Sequence, residues 1–233
     1  MIKVLSFDLD DTLWDNHQAI ARAKQKLYNH LVEQYPQIST LYDQKAFEDL
    51  GWAIIQANPN NPNIASLKQQ QIEKVLAQFD IPLQAADYFF DYYYEWRNRV
   101  ELFPEVISCL NALKSNYQLV SATNGNINLK SIGLDHFFDY SVCAADVQAK
   151  KPDQKIYQSI LKKLKVDAEQ VIHIGDSFEN DVLGSLHCGM KALWYNPNRL
   201  AQPMIPTDFS TQYLGSISHH AQIAEMMKYI QHL

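Results

Sequence analysis

The chain lacks the features that mark a secreted or membrane-bound protein. No stretch approaches the roughly 18 consecutive apolar residues that a membrane span requires. The N-terminus reaches Asp8 and Asp10 before any apolar segment as long as that of a secretory signal. Only three cysteines are present, Cys109, Cys143 and Cys188, and their wide spacing without a CxxC pair is typical of buried thiols in a reducing compartment. We therefore expect a cytoplasmic protein without a membrane partner.

A basic surface is also missing. The formal net charge is −6, and no stripe of Lys and Arg resembles a nucleic-acid footprint, which argues against a nucleic-acid partner. Apolar residues make up 47% of the sequence and charged residues 20%, a balance that favours a folded globular protein over a disordered one. The acidic total does not exclude a small anionic substrate, because a local site can be positive on a negative protein.

Two kinds of apolar pattern divide the chain. Apolar runs that predict strands cover residues 2–9, 117–123, 140–144, 171–175, 191–195 and 213–217, and helical patterns lie between the later ones. Strands that alternate with helices indicate βαβ units, so we predict an α/β fold with a doubly wound, Rossmann-like parallel sheet. Residues 15–100 show only helical spacing. We therefore predict a catalytic core formed by residues 1–14 and 101–233, with an all-helical cap domain inserted at 15–100.

Each of four predicted strands leads into residues with catalytic potential. They are Asp8 and Asp10 for the first strand, Thr123 and Asn124 for the second, Lys151 shortly after the third, and Asp176 after the fourth. Ligands of open α/β sheets bind beyond the carboxyl ends of the strands, so the fold should gather these distant positions at one rim.

Such a cluster suits phosphate chemistry. Asp8, Asp10 and Asp176 would repel one another in a partly buried crevice unless one carboxyl is protonated or a cation lies among them. An all-oxygen site suits Mg²⁺ together with a substrate phosphate. Lys151 and Thr123 would supply donors for the phosphate oxygens, and backbone N–H groups after Thr123 would add more.

The i, i+2 spacing of Asp8 and Asp10 allows the two acids different tasks. Asp8 can attack phosphorus and form an aspartyl-phosphate. Asp10 can protonate the leaving alkoxide and then take a proton from the water that hydrolyses the intermediate, assistance worth about 10²–10⁴-fold in rate. The predicted function is a Mg²⁺-dependent phosphatase acting on a small phosphorylated metabolite.

Four ordered motifs resemble those of the haloacid dehalogenase superfamily. FDLDDTL at 7–13 resembles its DxDxT signature, and residues 123–125, 151–153 and 175–181 resemble its second, third and fourth motifs. The resemblance is to subfamily I, which carries a helical cap between the first two motifs. It implies these roles: Asp8 as nucleophile and Mg²⁺ ligand; Asp10 as acid/base and as a metal ligand through its main-chain carbonyl; Thr123, Asn124 and Lys151 as the phosphate- and substrate-binding group; Asp176 as the remaining metal ligand; Asp181 as a supporting acid that orients Lys151 or a metal-bound water.

Within this superfamily, the residue at position 10 distinguishes phosphatases from dehalogenases. The resemblance implies phosphate chemistry, because true dehalogenases carry an aromatic residue where this chain has Asp10. Stretches at 11–16, 96–99 and 123–126 are similar to bacterial phosphatases of flavin mononucleotide and of the ribityl-aminouracil phosphate of riboflavin synthesis. Nucleotides and sugar phosphates are further candidate substrates. Trp14 and Asn16, just past the nucleophile, are candidate specificity residues.

Several alternatives remain open at this point. Each motif has a plainer interpretation on its own: Asp8 and Asp10 as turn acids, and Asp176 and Asp181 as helix caps. A phosphomutase uses the same nucleophile, and a regulatory protein can keep the fold without catalysis. Both a monomer and a homodimer are compatible with the sequence.

Overall fold

Six parallel strands form one sheet in the computed structural model of the protein, which describes residues 1–230. They are β1 (Val4–Phe7), β2 (Gln118–Thr123), β3 (Tyr140–Cys143), β4 (Val171–Gly175), β5 (Lys191–Tyr195) and β6 (Tyr213–Ile217). Their order is β3-β2-β1-β4-β5-β6, and Phe7 of β1 lies opposite Ser121 of β2 and Ile174 of β4. The order reverses beside β1, which is where open α/β sheets bind ligands.

Helices cover both faces of this sheet. The α-helices of the described residues are α1 (Asn16–Gln34), α2 (Gln44–Ala57), α3 (Ile64–Gln78), α4 (Ala85–Arg97), α5 (Val106–Lys114), α6 (Ala144–Val147), α7 (Gln154–Leu164), α8 (Gly184–His187) and α9 (Ala221–Ile230). Leu5 packs with Leu110 of α5 and Ile223 of α9, whereas Val4 packs with Ile156 of α7. The predicted doubly wound α/β fold is confirmed. Within residues 1–230, no helix combines the length and the apolar character that crossing a bilayer requires.

The four helices α1–α4 occupy residues 16–97, here called the helical segment, and the sheet with its covering helices is called the α/β core. Leu27 and Leu31 of α1, Ile72 of α3 and Phe89 of α4 belong to a buried cluster that is separate from the clusters of the sheet. The apolar spacing of the sequence explains this packing, because residues three or four apart share one face of a helix.

The two connections to the helical segment run side by side beyond β1. Trp14 pairs with Leu102 through a β-bridge, and the N–H of Phe103 donates to the carbonyl of Leu13 at 2.9 Å. The turn before α1 places Asp11 at φ 61°, in the left-handed region that Asp tolerates better than most residues. The chain therefore leaves and re-enters the α/β core next to the end of its central strand.

The helical pattern after β4 folds as two different kinds of helix. Its first part, Phe178–Leu183, is a π-helix with a wider turn, and α8 follows directly. The wider turn brings Asp181 back against Gly175, where a Cβ would lie 2.3 Å from the Asp181 carboxyl carbon. Glycine at 175 therefore permits a close approach that any other residue would block.

Candidate active site

Lys151 lies between two carboxylates at the carboxyl edge of the sheet. Its Nζ is 2.5 Å from Asp8 Oδ1 and 2.6 Å from Asp181 Oδ1, and all three side chains are buried. Burial by itself lowers the pKa of Lys151, but the charges of Asp181 and Asp8 outweigh it and raise that pKa above its ordinary value. The lysine therefore stays a cation where a phosphate would need one.

Asp181 is fixed by more partners than Lys151 alone. Its Oδ1 lies 3.1 Å from His173 Nε2, and its Oδ2 accepts from the N–H of Ser177 at 3.0 Å. Burial raises the pKa of Asp181, but Lys151 and His173 more than offset this and lower it below its usual range. An ionised Asp181 can only accept, so His173 carries its proton on Nε2. Its Nδ1, 2.8 Å from Ser6 Oγ, then accepts from that hydroxyl.

Three acids meet where a cation would fit. One carboxylate oxygen from each of Asp8, Asp176 and Asp181 lies within 4.8 Å of the others. Burial, together with the charges of Asp181 and Asp11, raises the pKa of Asp176 to about 6, and burial also raises the pKa of Asp8. Burial and the neighbouring negative charges both disfavour ionised acids here, and a divalent cation would offset both effects. The all-oxygen donor set fits Mg²⁺ or a similar hard cation.

Thr12 joins this cluster to the fourth motif. Its Oγ1 accepts from the N–H of Asp176 at 3.1 Å and donates to Asp176 Oδ1 at 3.2 Å. The sequence contained the signal for this contact, since Thr12 belongs to the DxDxT pattern, but its partner could not be identified before the strands were aligned in space.

The predicted phosphate-binding residues take different positions. Thr123 Oγ1 accepts from the N–H of Gly125 at 2.9 Å, which leaves its hydroxyl proton available for a ligand oxygen. Asn124 instead holds the backbone of Lys151: its Oδ1 accepts from the Lys151 N–H at 2.7 Å, and its Nδ2 donates to the Lys151 carbonyl at 3.1 Å. The Asn124 amide therefore contacts the main chain of Lys151 on both sides of its hydrogen-bonding capacity, donor and acceptor.

The carboxylate of Asp10 stands apart from the acid cluster. Its Oδ1 accepts from Arg97 Nη2 at 2.7 Å and from Trp14 Nε1 at 3.0 Å. Its Oδ2 faces Gly125, where a Cβ would lie only 2.5 Å away. Glycine is therefore required beside Asp10, and any metal contact of this residue stays a prediction that concerns its main chain.

The two candidate specificity residues differ in burial and in their hydrogen-bond partners. Trp14 is fully buried, and its indole N–H donates to Asp10. Asn16 is partly buried, and its backbone N–H donates to Asp11 Oδ1 at 2.9 Å. Its side-chain Oδ1 is buried without a hydrogen-bond partner among residues 1–230. The structure thus puts the Trp14 ring in contact with Asp10 and leaves it no exposed surface.

Arg97, like His173, is a residue of the site that the sequence motifs do not predict. It lies 87 positions from Asp10, and the end of α4 that carries it also contacts the loop after β2. No local pattern signals such a contact, since it depends on how the helical segment docks.

Comparisons with known proteins identify a family and several relatives. A family model for haloacid dehalogenase-like hydrolases matches residues 2–189. The 5-amino-6-(5-phospho-D-ribitylamino)uracil phosphatase YigB of Escherichia coli is 27% identical over 202 residues, which are 84% of each chain. A glyceraldehyde 3-phosphate phosphatase of Methanothermobacter thermautotrophicus is 27% identical over 84% of this chain and 86% of its own.

The solved structures include one of similar shape along the whole chain. The crystal structure of 2-haloacid dehalogenase from Pseudomonas syringae pv. Tomato DC3000 superposes with a TM-score of 0.88 at 30% identity. The superposition covers 99% of this chain and 100% of that one.

Proposed function

The chain belongs to the haloacid dehalogenase-like hydrolases, as its motifs predict, and on that premise we infer that it is a Mg²⁺-dependent phosphatase of small phosphomonoesters. The observation that carries this proposal is the buried ammonium group of Lys151, which lies between the carboxylates of Asp8 and Asp181. The carboxylate of Asp176 lies close to both acids. This cluster offers a carboxylate nucleophile beside a fixed cation, at the sheet edge where ligands bind.

Asp8 is the proposed nucleophile. When bound by Asp8 and Asp176, the metal ion supplies positive charge that offsets repulsion between a carboxylate and a phosphate. Lys151 and the Thr123 hydroxyl hold the phosphate oxygens. The Asp8 oxygen then forms a bond to phosphorus while the bond to the leaving oxygen breaks, and that oxygen keeps the electron pair.

Asp10 is the proposed acid/base, because its free Oδ2 lies beside Gly125, next to the phosphate-binding Thr123. In its protonated form it gives a proton to the leaving oxygen, and as the carboxylate it later takes one from the water that attacks the aspartyl-phosphate. Asp181 stays a supporting acid that holds Lys151.

A dehalogenase is the second candidate, because the Pseudomonas syringae protein named as one is 30% identical to this chain. Asp10 favours the phosphatase. A halide leaves without a proton, whereas an alkoxide needs one, and an acid at this position is useful only in the second case.

The relatives suggest which phosphates to try first. The two compared above are named for a ribityl phosphate and for a triose phosphate, and another, from Escherichia coli, is a pyrimidine 5'-nucleotidase. Flavin mononucleotide, the ribityl-aminouracil phosphate, nucleotides and sugar phosphates are therefore the candidate substrates, and the cytoplasm is the proposed location.

The helical segment, with its flanks at 15–100, is proposed to be a cap over this site. It contacts the α/β core on two sides: Lys150 Nζ donates to the Pro59 carbonyl at 3.2 Å, and Arg97 reaches Asp10. Closure over the substrate would exclude water from the first step, as such inserts commonly do.

The test is phosphate release from a panel of these esters by the purified protein, with Mg²⁺ and with excess chelator. We expect release that stops in chelator and returns with Mg²⁺. Full activity in chelator would contradict the metal assignment. Halide release from 2-chloropropionate without any phosphate release would favour the dehalogenase, a requirement for a sugar bisphosphate would favour a phosphomutase, and phosphate-ester binding without turnover would favour a regulatory protein.

A further inference from the structure

A buried ion pair joins the helical segment to the α/β core. Arg97, the last residue of α4, places Nη2 2.7 Å from Asp10 Oδ1, with side-chain exposures of 4% and 17%. Its second terminal nitrogen, Nη1, is buried and has no partner in the described part of the chain. Burying a guanidinium carries a large desolvation cost. A single carboxylate partner offsets only part of this cost, which suggests that Arg97 is placed here for its effect on Asp10.

Hydrogen bonds dock this end of α4 onto the loop after β2. The Tyr94 hydroxyl donates to the carbonyl of Asn126. Asn98 accepts on Oδ1 from the N–H of Asn128 at 2.8 Å and donates from Nδ2 to the Tyr94 carbonyl at 2.7 Å. The position of Arg97 is therefore set by the contact between the helical segment and the loop that follows Thr123.

The ion pair also decides how the carboxyl group of Asp10 is turned. Arg97 and Trp14 both donate to Oδ1, which leaves Oδ2 as the oxygen directed at Gly125. Trp14 belongs to the turn just after β1, whereas Arg97 arrives from the helical segment. Docking of α4 thus completes the pair of donors that orients Asp10.

We propose that Arg97 is a positioning residue for the acid/base Asp10, so that Asp10 is aimed at the leaving oxygen only while the helical segment is docked. The inference rests on the proposed phosphatase function and adds a residue to it. Arg97 touches Asp10 and acts through it. Its loss should therefore matter most for substrates whose leaving group needs a proton.

Phenyl phosphate and p-nitrophenyl phosphate form a matched pair of probes, because they have similar shapes and p-nitrophenolate leaves with far less help from an acid. Release of the phenol in a single turnover reports the first half-reaction for Arg97→Met. We expect a loss of about tenfold with phenyl phosphate, part of the 10²–10⁴-fold that acid–base assistance provides, and a much smaller loss with p-nitrophenyl phosphate. Arg99→Met is the control, since Arg99 is half exposed and pairs with Glu95.

An equal loss with both esters, or no loss, would overturn the proposal. A wild type that releases neither phenol, and no phosphate from the panel of metabolite esters, would instead refute the phosphatase function, so the two failures are distinguishable. Arg97→Lys keeps the buried charge and should recover most of the phenyl phosphate rate, which guards against a folding defect in Arg97→Met.

A double-mutant cycle completes the test. In an Asp10→Ala background the Arg97→Met change should no longer distinguish the two esters, because the group it orients is gone. If Arg97→Met still slows phenyl phosphate selectively there, Arg97 does not act through Asp10 and the proposal is wrong.

Discussion

Two lysines with restricted access to water, one in the α/β core and one in the helical segment, have pKa values shifted in opposite directions. Lys151 lies within ion-pair distance of Asp8 and Asp181, and these charges more than offset burial and raise its pKa. Lys68 of α3 is partly buried, donates to Gln71 Oε1 at 2.6 Å and lies 4.9 Å from the centre of the Tyr93 ring. In the chain up to residue 230, Lys68 forms no salt bridge.

The pKa of Lys68 accordingly moves down, to about 8, because burial disfavours its charge and Lys24 adds like-charge repulsion. The comparison shows where this fold uses buried charge. At the sheet edge, opposite charges are gathered into a cluster that can react. In the helical segment, a partly buried cation without a salt bridge in the described part of the chain should lower stability. Substitutions in the α/β core should therefore change activity most, and substitutions at Lys68 should change stability and its pH dependence.

The sharpest test of this division is Asp8→Asn. The amide cannot form the bond to phosphorus, so turnover should fall by at least about 10³-fold, the scale seen when a covalent nucleophile is removed. Phosphate release measures the loss, and circular dichroism checks the fold. Asp208→Asn, an exposed acid in the same chain, should keep wild-type turnover. Appreciable turnover by Asp8→Asn would assign the nucleophile to another group.

The two lysines can be compared directly by the same substitution. Lys151→Met leaves Asp8 and Asp181 buried without their cation, so the free energy of unfolding should fall by about 3–5 kcal/mol, with turnover lost as well. Lys68→Met removes an unpaired charge and should leave stability at pH 7 unchanged or higher. Urea unfolding measures both. Equal destabilisation by the two variants would mean that the two lysines contribute equally to stability, which contradicts the contrast drawn here.

The acid cluster gives a stability effect that does not depend on turnover. A cation that binds the folded state alone stabilises it by about 2.7 kcal/mol at a hundredfold excess over its Kd. Mg²⁺ should therefore raise the Tm of the wild type, and it should raise that of Asp176→Asn much less. A Tm that Mg²⁺ leaves unmoved in both proteins would argue against a metal site at these acids.

The sequence predicts the α/β core better than it predicts the contacts made by the helical segment. Apolar runs mark the strands, and a parallel sheet necessarily brings their carboxyl ends together, so the meeting of Asp8, Lys151 and Asp176 follows from topology. The engagement of Asn124 with the Lys151 backbone could not be foreseen, because it depends on the loop conformations after β2 and β3.

No local sequence pattern predicts the contacts between the helical segment and the α/β core. Helical spacing predicts that Leu27 and Ile72 are buried, but it does not say which end of α4 faces Asp10. Arg97 and Asp10 meet across 87 positions through docking of whole helices. The π-helix at Phe178–Leu183 likewise has no local signal, since its wide turn accompanies a tertiary contact between Asp181 and Gly175.

The smallest predicted effect is the pH dependence that Lys68 imposes on stability. Its pKa is about 8 in the folded protein and near its ordinary 10.5 in the unfolded chain, so the unfolded chain binds more protons between these values. Stability contributed by this site should therefore rise as pH increases from about 8 to about 10, by about 1–3 kcal/mol. The measurement is the difference in unfolding free energy between wild type and Lys68→Met, determined in urea across this pH range. This difference cancels the contributions of all other titrating groups, because both proteins contain them. A difference that stays constant with pH would mean that Lys68 keeps its charge in the fold, and the contrast with Lys151 would then rest on partners alone.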